Sequence, residues 1–268
     1  MRVIVTRPPA QAADWVAQLQ ALGVDAVAVP LIGIAPLDDP SPLQAAWAAL
    51  PGTALVMFVS ANAVAHFFAA RPPGATWPAG TRAGSTGPGT SAALRQAGLT
   101  PQQIVAPADD APVFDSEALW ALLAHDDWAG RRALVVRGED GRDWFAETLR
   151  ARGAEVGFVA AYRRLPPELD GSGRQRVAEA RAAPQVHLWL FSSSEAVGHL
   201  RRIAPGADWS AARAVASHPR IAQAARDAGF GAVDLLPPSP AALAAWLGNV
   251  PSQPLQPLQG APIQSAPQ

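Results

Sequence analysis

Two stretches of this 268-residue chain follow the same pattern, and this internal repeat constrains the fold more than any other feature. In residues 55–67 and again in residues 188–200, an apolar run leads into a turn of small residues and then into a helical pattern. Five positions match between the two stretches: Phe58/Phe191, Ser60/Ser193, Ala63/Ala196, Val64/Val197 and His66/His199. A strand–turn–helix unit that occurs twice predicts two similar α/β domains.

Further matches at nearly the same separation extend the repeat over most of the chain. They are Arg7/Arg137, Trp15/Phe145, Leu19/Leu149 and Gly23/Gly153, followed by residues 88–98 against 219–229. A run of matches at one separation is hard to obtain by chance. We therefore interpret the chain as a duplication of one α/β unit.

The alternation of strands with short helices predicts parallel sheets flanked by helices. The β-branched runs 27–35 and 156–163 occupy equivalent places in the repeat, and we expect them to pair as a two-stranded linker. Ligands of such sheets bind beyond the carboxyl ends of the strands, so we expect a ligand cleft between the domains. The predicted bounds are residues 1–28 plus 166–248 for a discontinuous domain, 38–154 for the second domain, 29–37 and 155–165 for the linker strands, and 249–268 for a disordered tail.

Composition excludes several kinds of chemistry. Cysteine is absent, which excludes disulfides, thiolate nucleophiles and cysteine metal sites. All 21 basic residues are arginine, so a Schiff-base lysine and a P-loop lysine are also excluded. The net charge of -1 gives no basic face for nucleic acid. The N-terminus reads as a strand rather than a signal peptide, and no apolar run has membrane-spanning length, so we expect a cytoplasmic protein without a membrane partner.

Polar residues follow the predicted strands and form the candidate binding set. Ser60 and Ser193 are helix N-caps, ligand contacts or both, and the residues alone leave this open. Hydroxyls, backbone amides and guanidinium groups together suit a polyanion. The candidates are Thr6, Arg7, Ser60, Asn62, Thr90, Arg137, Gly138, Ser193, Ser194, Ser217 and Arg220.

Tyr162 is the only tyrosine and lies on a predicted linker strand. It either points into the cleft and donates a phenolic proton, or anchors the strand as an interface residue. The five histidines lack metal-ligand spacing, so we predict no metal. The chain also has no G-x-G-x-x-G or P-loop pattern, which argues against a nucleotide site.

Eight motifs in this order resemble the uroporphyrinogen-III synthase family and together cover residues 1–248. They are Val5-Thr-Arg-Pro8, Phe58-Val-Ser-Ala-Asn-Ala-Val64, Gly87-Pro-Gly-Thr90, Ser116-Glu-Ala-Leu119, Arg137-Gly-Glu-Asp-Gly-Arg142, Val159-Ala-Ala-Tyr162, Phe191-Ser-Ser-Ser-Glu-Ala-Val197 and Ser217-His-Pro-Arg-Ile-Ala222.

The resemblance implies that the substrate is hydroxymethylbilane, a linear tetrapyrrole with an acetate and a propionate on each ring. The enzyme closes it to a macrocycle with the last ring inverted and with loss of water, as a lyase that needs no cofactor. By the same resemblance, Tyr162 assists departure of the hydroxyl, and Ser60, Thr90 and Ser193 contact the substrate. We expect a monomer that makes transient contact with the preceding pathway enzyme.

A second hypothesis comes from a different class of protein. A two-lobed α/β cleft also suits a non-catalytic cytoplasmic module that binds a small polyanion. Formation of the inverted product from hydroxymethylbilane is the cheapest observation that distinguishes the two.

Overall fold

The computed structural model describes residues 1–108, 111 and 113–249. It contains parallel sheets flanked by helices, so the predicted α/β class is confirmed. The strands are β1 (Arg2–Val5), β2 (Ala26–Ala28), β3 (Gly33–Pro36), β4 (Thr53–Phe58), β5 (Arg82–Ser85), β6 (Ile104–Val105), β7 (Arg132–Gly138), β8 (Glu155–Leu165), β9 (His187–Phe191), β10 (Arg213–Ala216) and β11 (Ala232–Leu235).

Helices follow most of the strands. They are α1 (Pro9–Ala21), α2 (Ser41–Ala48), α3 (Ala61–Ala69), α4 (Pro88–Gln96), α5 (Ser116–Leu123), α6 (Trp144–Ala151), α7 (Gly171–Ala182), α8 (Ser194–Ile203), α9 (Pro219–Asp227) and α10 (Pro240–Asn249), with short 3₁₀ turns at Pro101–Gln103 and Pro184–Val186. Within the described residues, no helix is long and apolar enough to cross a membrane.

The chain forms two compact units. The first combines residues 1–32 with the described residues from 166 onward, and the second is residues 33–165. The first unit has a five-stranded parallel sheet in the order β11-β10-β9-β1-β2, and the second a six-stranded sheet in the order β3-β8-β7-β4-β5-β6. If β1 is matched with β7 and β9 with β4, the order of the first sheet recurs in the second. The internal repeat is therefore a repeat of topology.

Both faces of each sheet are buried. Successive strand residues point to opposite sides of a sheet, and in the central strands both sets of side chains are buried. In the second unit, Val56 and Phe58 of β4 pack into one apolar cluster, while Leu55 and Met57 pack into another. The first unit places Val3 and Val5 in an apolar cluster that includes Leu19 of α1 and Leu190 of β9.

Matched glycines end matched helices. Gly23 after α1 and Gly153 after α6 have φ angles of 78° and 86°, in the left-handed region that glycine adopts without strain. Each lets the chain reverse tightly into the next strand. This is the physical basis of the Gly23/Gly153 match in the sequence.

The run predicted as one long strand over 27–35 is divided. Its first part is β2, which pairs with β1 in the first unit, and its second part is β3, which pairs antiparallel with β8 in the second. Pro30 lies between them, and the N–H groups of Val29 and Leu31 on either side of it still donate to the Val5 and Thr6 carbonyls, so the chain leaves the β1 side only after Leu31.

The two segments predicted as linker strands lie partly within the six-stranded sheet. β8 pairs with β7 from Glu155 to Tyr162, and its last residues pair with β3. The chain passes between the units at the ends of this strand pair, after residue 32 and after residue 165. A linker function for the pair stays a prediction, as do the predicted domain bounds.

The predicted tail of 249–268 falls almost entirely outside the described part of the chain. Its first residue, Asn249, is the last residue of α10. Residues 250–268 are not among the described residues, so the prediction of a disordered tail stays a prediction.

Candidate active site

The candidate residues gather at the carboxyl edges of the two sheets, each unit by itself. In the second unit, Ser60 follows β4, Arg137 and Gly138 end β7, and Tyr162 lies near the end of β8, three strands that are neighbours in the sheet. In the first unit, Thr6 and Arg7 follow β1, Ser193 and Ser194 follow β9, and Ser217 follows β10, again neighbouring strands.

Tyr162 is the centre of the set in the second unit. Its side chain is 1% exposed, and its hydroxyl lies 3.1 Å from the Ser60 hydroxyl, so the two form a hydrogen bond. The imidazole of His66 stacks on the phenol ring, with 6.0 Å between ring centroids. The phenol ring is thus packed in an apolar cluster, and its hydroxyl is anchored by Ser60.

A change of register directs Tyr162 toward Ser60. Arg137 pairs with Ala160, but the next residue, Gly138, pairs with Tyr162, so Ala161 is bypassed as in a β-bulge. As a result the consecutive residues Ala161 and Tyr162 both enter the same buried cluster, which a regular strand does not allow.

Gly138 makes room for the Tyr162 ring. A Cβ atom at Gly138 would lie 3.3 Å from two atoms of the ring, closer than ordinary van der Waals contact. Gly138, a predicted ligand contact, therefore also packs closely against the Tyr162 ring, and a side chain there would crowd that ring.

Ser60 serves as an N-cap and as the partner of Tyr162. Its Oγ accepts a hydrogen bond from the Ala63 N–H at 3.2 Å, which satisfies one of the free amides at the start of α3. Its counterpart Ser193 caps α8 by accepting from the Glu195 N–H at 3.2 Å. Both serines are half-buried, so capping leaves part of each side chain accessible.

Arg137 already has protein partners. Its guanidinium donates to Asp143 at 2.5 Å and lies 4.3 Å from the centre of the Phe158 ring. A ligand carboxylate would have to compete with Asp143 for this cation. The prediction that Arg137 binds substrate is weakened by this internal ion pair, which lies only six residues away in sequence.

Arg7 is in the opposite situation. Its guanidinium stacks over the Trp15 ring at 4.3 Å and has one weak contact, 3.4 Å to the Gln11 side-chain oxygen. The Nε atom is buried and has no hydrogen-bond partner. Desolvation by the surrounding protein lowers the pKa of Arg7 to about 10, which still leaves it cationic at neutral pH.

Two predicted contacts are internal in this structure. The buried Thr6 hydroxyl donates to the Leu190 carbonyl at 2.7 Å and joins the ends of β1 and β9, and Thr90 is 6% exposed inside α4. The Thr6 hydroxyl proton is used in this backbone hydrogen bond, so Thr6 cannot donate it to a ligand at the same time.

The remaining predicted contacts lie at helix starts. Asn62 is half-buried in the first turn of α3, Ser217 is half-buried after β10, and Arg220 is exposed in the first turn of α9. Ser194 begins α8, and its buried Oγ has no hydrogen-bond partner. In the described part of the chain, no group of three His, Asp or Glu residues is placed to hold a metal ion.

Sequence reasoning missed two neighbours of the site, Gln11 and Trp15. Gln11 and Trp15 surround Arg7, and their positions four and eight residues further on, in a predicted helix, could have indicated this. His218 caps α9 by accepting from the Arg220 N–H at 3.2 Å, a position just before Pro219 where helix caps are common.

Comparison of the chain with known proteins shows which family it belongs to. The family model for uroporphyrinogen-III synthase HemD matches residues 13–244. A uroporphyrinogen-III synthase of Salmonella typhimurium is 36% identical over 173 residues, covering 64% of this chain and 68% of the relative. The Escherichia coli uroporphyrinogen-III synthase is 32% identical over 206 residues, covering 76% and 80%.

Solved structures show the same fold. A mutant uroporphyrinogen III synthase of Thermus thermophilus matches with a TM-score of 0.55 at 20% identity, and the Helicobacter pylori uroporphyrinogen-III synthetase with a TM-score of 0.51 at 15% identity. Each match covers 92% of this chain and 98% of the other. The resemblance inferred from the motifs is confirmed.

Proposed function

The chain belongs to the uroporphyrinogen-III synthase family, enzymes of heme biosynthesis, and we propose that it closes hydroxymethylbilane to the macrocycle with inversion of the last ring and loss of water. Loss of water with ring closure leaves the overall oxidation state unchanged, so the reaction needs no redox cofactor. We accordingly assign it as a cofactor-independent lyase.

The chemistry asks the protein mainly for positioning. The terminal hydroxyl of the substrate leaves readily, and unaided closure gives the product without ring inversion. The catalyst must therefore hold one folded conformation of a flexible polyacid and stabilise the charge that develops when the hydroxyl departs. Strand-end hydroxyls, helix-start amides and arginine suit this task, because together they bind carboxylates at fixed points.

The hydrogen bond between Ser60 and Tyr162 is the observation that supports a catalytic function at the carboxyl edge of the second sheet. Ser60 Oγ already accepts the Ala63 N–H. If it also accepts the Tyr162 O–H, its own proton is available to the substrate, because a hydroxyl has one donor and two acceptor sites.

In the proposed step, Ser60 donates its proton to the departing hydroxyl, which leaves as water. Tyr162 passes its proton to Ser60 in turn. The proton that the new ring carbon loses when the pyrrole regains aromaticity returns to the phenolate through the Ser60 hydroxyl, so the enzyme ends unchanged. The buried phenol thus assists without touching the substrate itself.

The predicted substrate contacts remain proposals, and we favour those whose side chains are accessible. Asn62, Ser193, Ser217 and Arg220 are exposed or half-buried near helix starts and stay in the proposed contact set. Thr6 is better assigned to joining the ends of β1 and β9, and Thr90 to the packing of α4, since both residues are buried.

The test is to incubate the protein with enzymatically generated hydroxymethylbilane and separate the product isomers. The inverted type III isomer is the expected result. Formation of the type I isomer alone, at the rate seen without protein, would leave only the non-catalytic binding module. For the site, Tyr162→Phe should lower kcat about tenfold while the fold is kept, as expected for loss of one assisting proton donor. Full activity in that variant would remove the assigned role.

A further inference from the structure

Each sheet has one place where the direction of chain winding reverses. In the first unit it lies between β1, which leads by α1 to β2 on one side, and β9, which leads by α8 to β10 on the other. The equivalent place in the second unit lies between β7 and β4. Since β–helix–β crossovers are right-handed, the two helices cover opposite faces and leave a crevice between the strand ends, where open α/β sheets bind ligands.

The duplication supplies both crevices with the same pair of side chains. An arginine follows or ends one bordering strand, and a serine follows the other: Arg7 with Ser193 in the first unit, Arg137 with Ser60 in the second. The two pairs occupy equivalent places in the repeat, but they differ in what they contact.

In the second unit, both members of the pair are engaged by the protein. Arg137 is paired with Asp143, and Ser60 is hydrogen-bonded to Tyr162. This crevice contains its own anion and its own hydroxyl partner.

In the first unit, the arginine has no such partner. Among the described residues, no carboxylate forms an ion pair with Arg7, whose one side-chain hydrogen bond is the weak contact with the neutral Gln11 oxygen. The repeat that matches Arg7 with Arg137 matches Asp143 with Ala13, so the internal anion of the second unit is replaced by a methyl group in the first. Arg7 is therefore retained in the repeat, but the first unit has no carboxylate residue equivalent to Asp143.

Two buried polar atoms at this edge are also left unsatisfied. They are the Nε of Arg7 and the Oγ of Ser194, which follow the adjacent strands β1 and β9. A desolvated cation without an anion and a buried hydroxyl without a partner are each costly, and a bound acidic group would relieve that cost.

We propose that the crevice between β1 and β9 binds one carboxylate of the tetrapyrrole through Arg7, while Arg137 in the equivalent crevice stays paired with Asp143. The two halves of the duplication have then diverged in function. The first half recognises an acidic side chain of the ligand, and the second half positions Tyr162. The identity of the ligand in this inference rests on the proposed function.

The test measures binding of reduced uroporphyrinogen III under anaerobic conditions by titration calorimetry, together with the indole N–H signal of Trp15 in a ¹⁵N-labelled sample. Arg7→Gln should weaken binding at least about tenfold, the usual effect of losing a charge-assisted hydrogen bond. Arg7→Lys, which keeps the charge, should recover part of the affinity. In the unmodified protein the Trp15 signal should shift on titration, because the indole lies under the guanidinium.

Arg2→Gln is the matched control. Arg2 lies at the other end of the same strand and is paired with Asp25, so its loss should leave the affinity within about twofold. Arg137→Gln should weaken binding less than Arg7→Gln does. Equal affinity in Arg7→Gln and the unmodified protein, or a larger loss at Arg137, would overturn the inference.

Failure of this inference and failure of the proposed function give different results. If the type III isomer forms but Arg7→Gln binds and turns over normally, only the assignment of Arg7 is wrong. If no type III isomer forms while the Arg7-dependent affinity persists, the carboxylate site stands and the proposed catalysis is wrong. Should Arg7→Gln fail to fold, the Arg7→Lys affinity and the Trp15 shift decide.

Discussion

Replacing Ser60 by alanine should destabilise the protein considerably more than replacing its repeat counterpart Ser193. Both serines cap a helix through one backbone N–H, and loss of such a cap costs about 1 kcal/mol. Ser60 alone is also the hydrogen-bond partner of Tyr162, a phenol with 1% exposure. A buried hydroxyl left without a partner costs a further ~1–3 kcal/mol. We therefore expect about 2–4 kcal/mol for Ser60→Ala and about 1 kcal/mol for Ser193→Ala.

The two components at Ser60 can be separated by a double-mutant cycle with Tyr162→Phe. Tyr162→Phe alone should cost about 1 kcal/mol, because Ser60 is half-buried and can bond to water instead. In the Ser60→Ala background the same change removes the stranded hydroxyl. It should therefore be stabilising there by about 1–3 kcal/mol, which together with the ~1 kcal/mol cost in the unmodified background corresponds to a coupling of about 2–4 kcal/mol.

The measurement is equilibrium unfolding in urea of the four proteins in the cycle and of Ser193→Ala, followed by tryptophan fluorescence and by circular dichroism. Both probes report on both units, so their agreement shows whether the whole protein unfolds in a single transition. Additive effects of Ser60→Ala and Tyr162→Phe, or equal costs at Ser60 and Ser193, would refute the reasoning that Ser60 satisfies a buried phenol.

Two further predictions concern the same neighbourhood. Gly138→Ala should cost about 1–3 kcal/mol and lower turnover, because the new methyl group would lie 3.3 Å from the Tyr162 ring and would push the ring from its position beside Ser60. Thermal unfolding and the isomer assay check this, and an unaffected variant would contradict the packing. Burial lowers the pKa of His66, so the unfolded chain binds a proton more readily than the folded chain as the pH falls below about 6.5, and stability is lost on acidification. His66→Gln should make the fall in stability between about pH 7 and about pH 5 shallower, and an unchanged slope would show that His66 does not contribute.

The architecture could be predicted because it depends on patterns that repeat along the chain. The Ser60/Ser193 match located the start of two equivalent helices, and the Gly23/Gly153 match located two equivalent helix ends, each with a local physical cause in capping or backbone conformation. The division of the 27–35 run between two sheets was not predicted. An apolar β-branched run shows that a strand forms but does not show which sheet it joins.

The candidate site was predictable in its location and not in its contacts. Strand ends identify the carboxyl edge of a sheet, so the residues that gather there could be named in advance. The burial of Tyr162 depends on the bypass of Ala161 in the pairing with β7, and strand register is a property of two segments together. The ion pair of Arg137 with Asp143 depends on the path of a short turn, which the types of the two residues do not determine.

The discontinuity of the first unit has a consequence for the order in which a growing polypeptide can fold. Thr6 bonds to Leu190, 184 residues further along, and β1 reaches its neighbour β9 only after that stretch has been made. At ordinary rates of translation this is a delay of roughly 10–40 s. The second unit is continuous and can acquire its sheet during that interval. The amino-terminal strand must meanwhile stay soluble with one edge unpaired, and chaperone dependence during biosynthesis should accordingly concentrate on the first 32 residues.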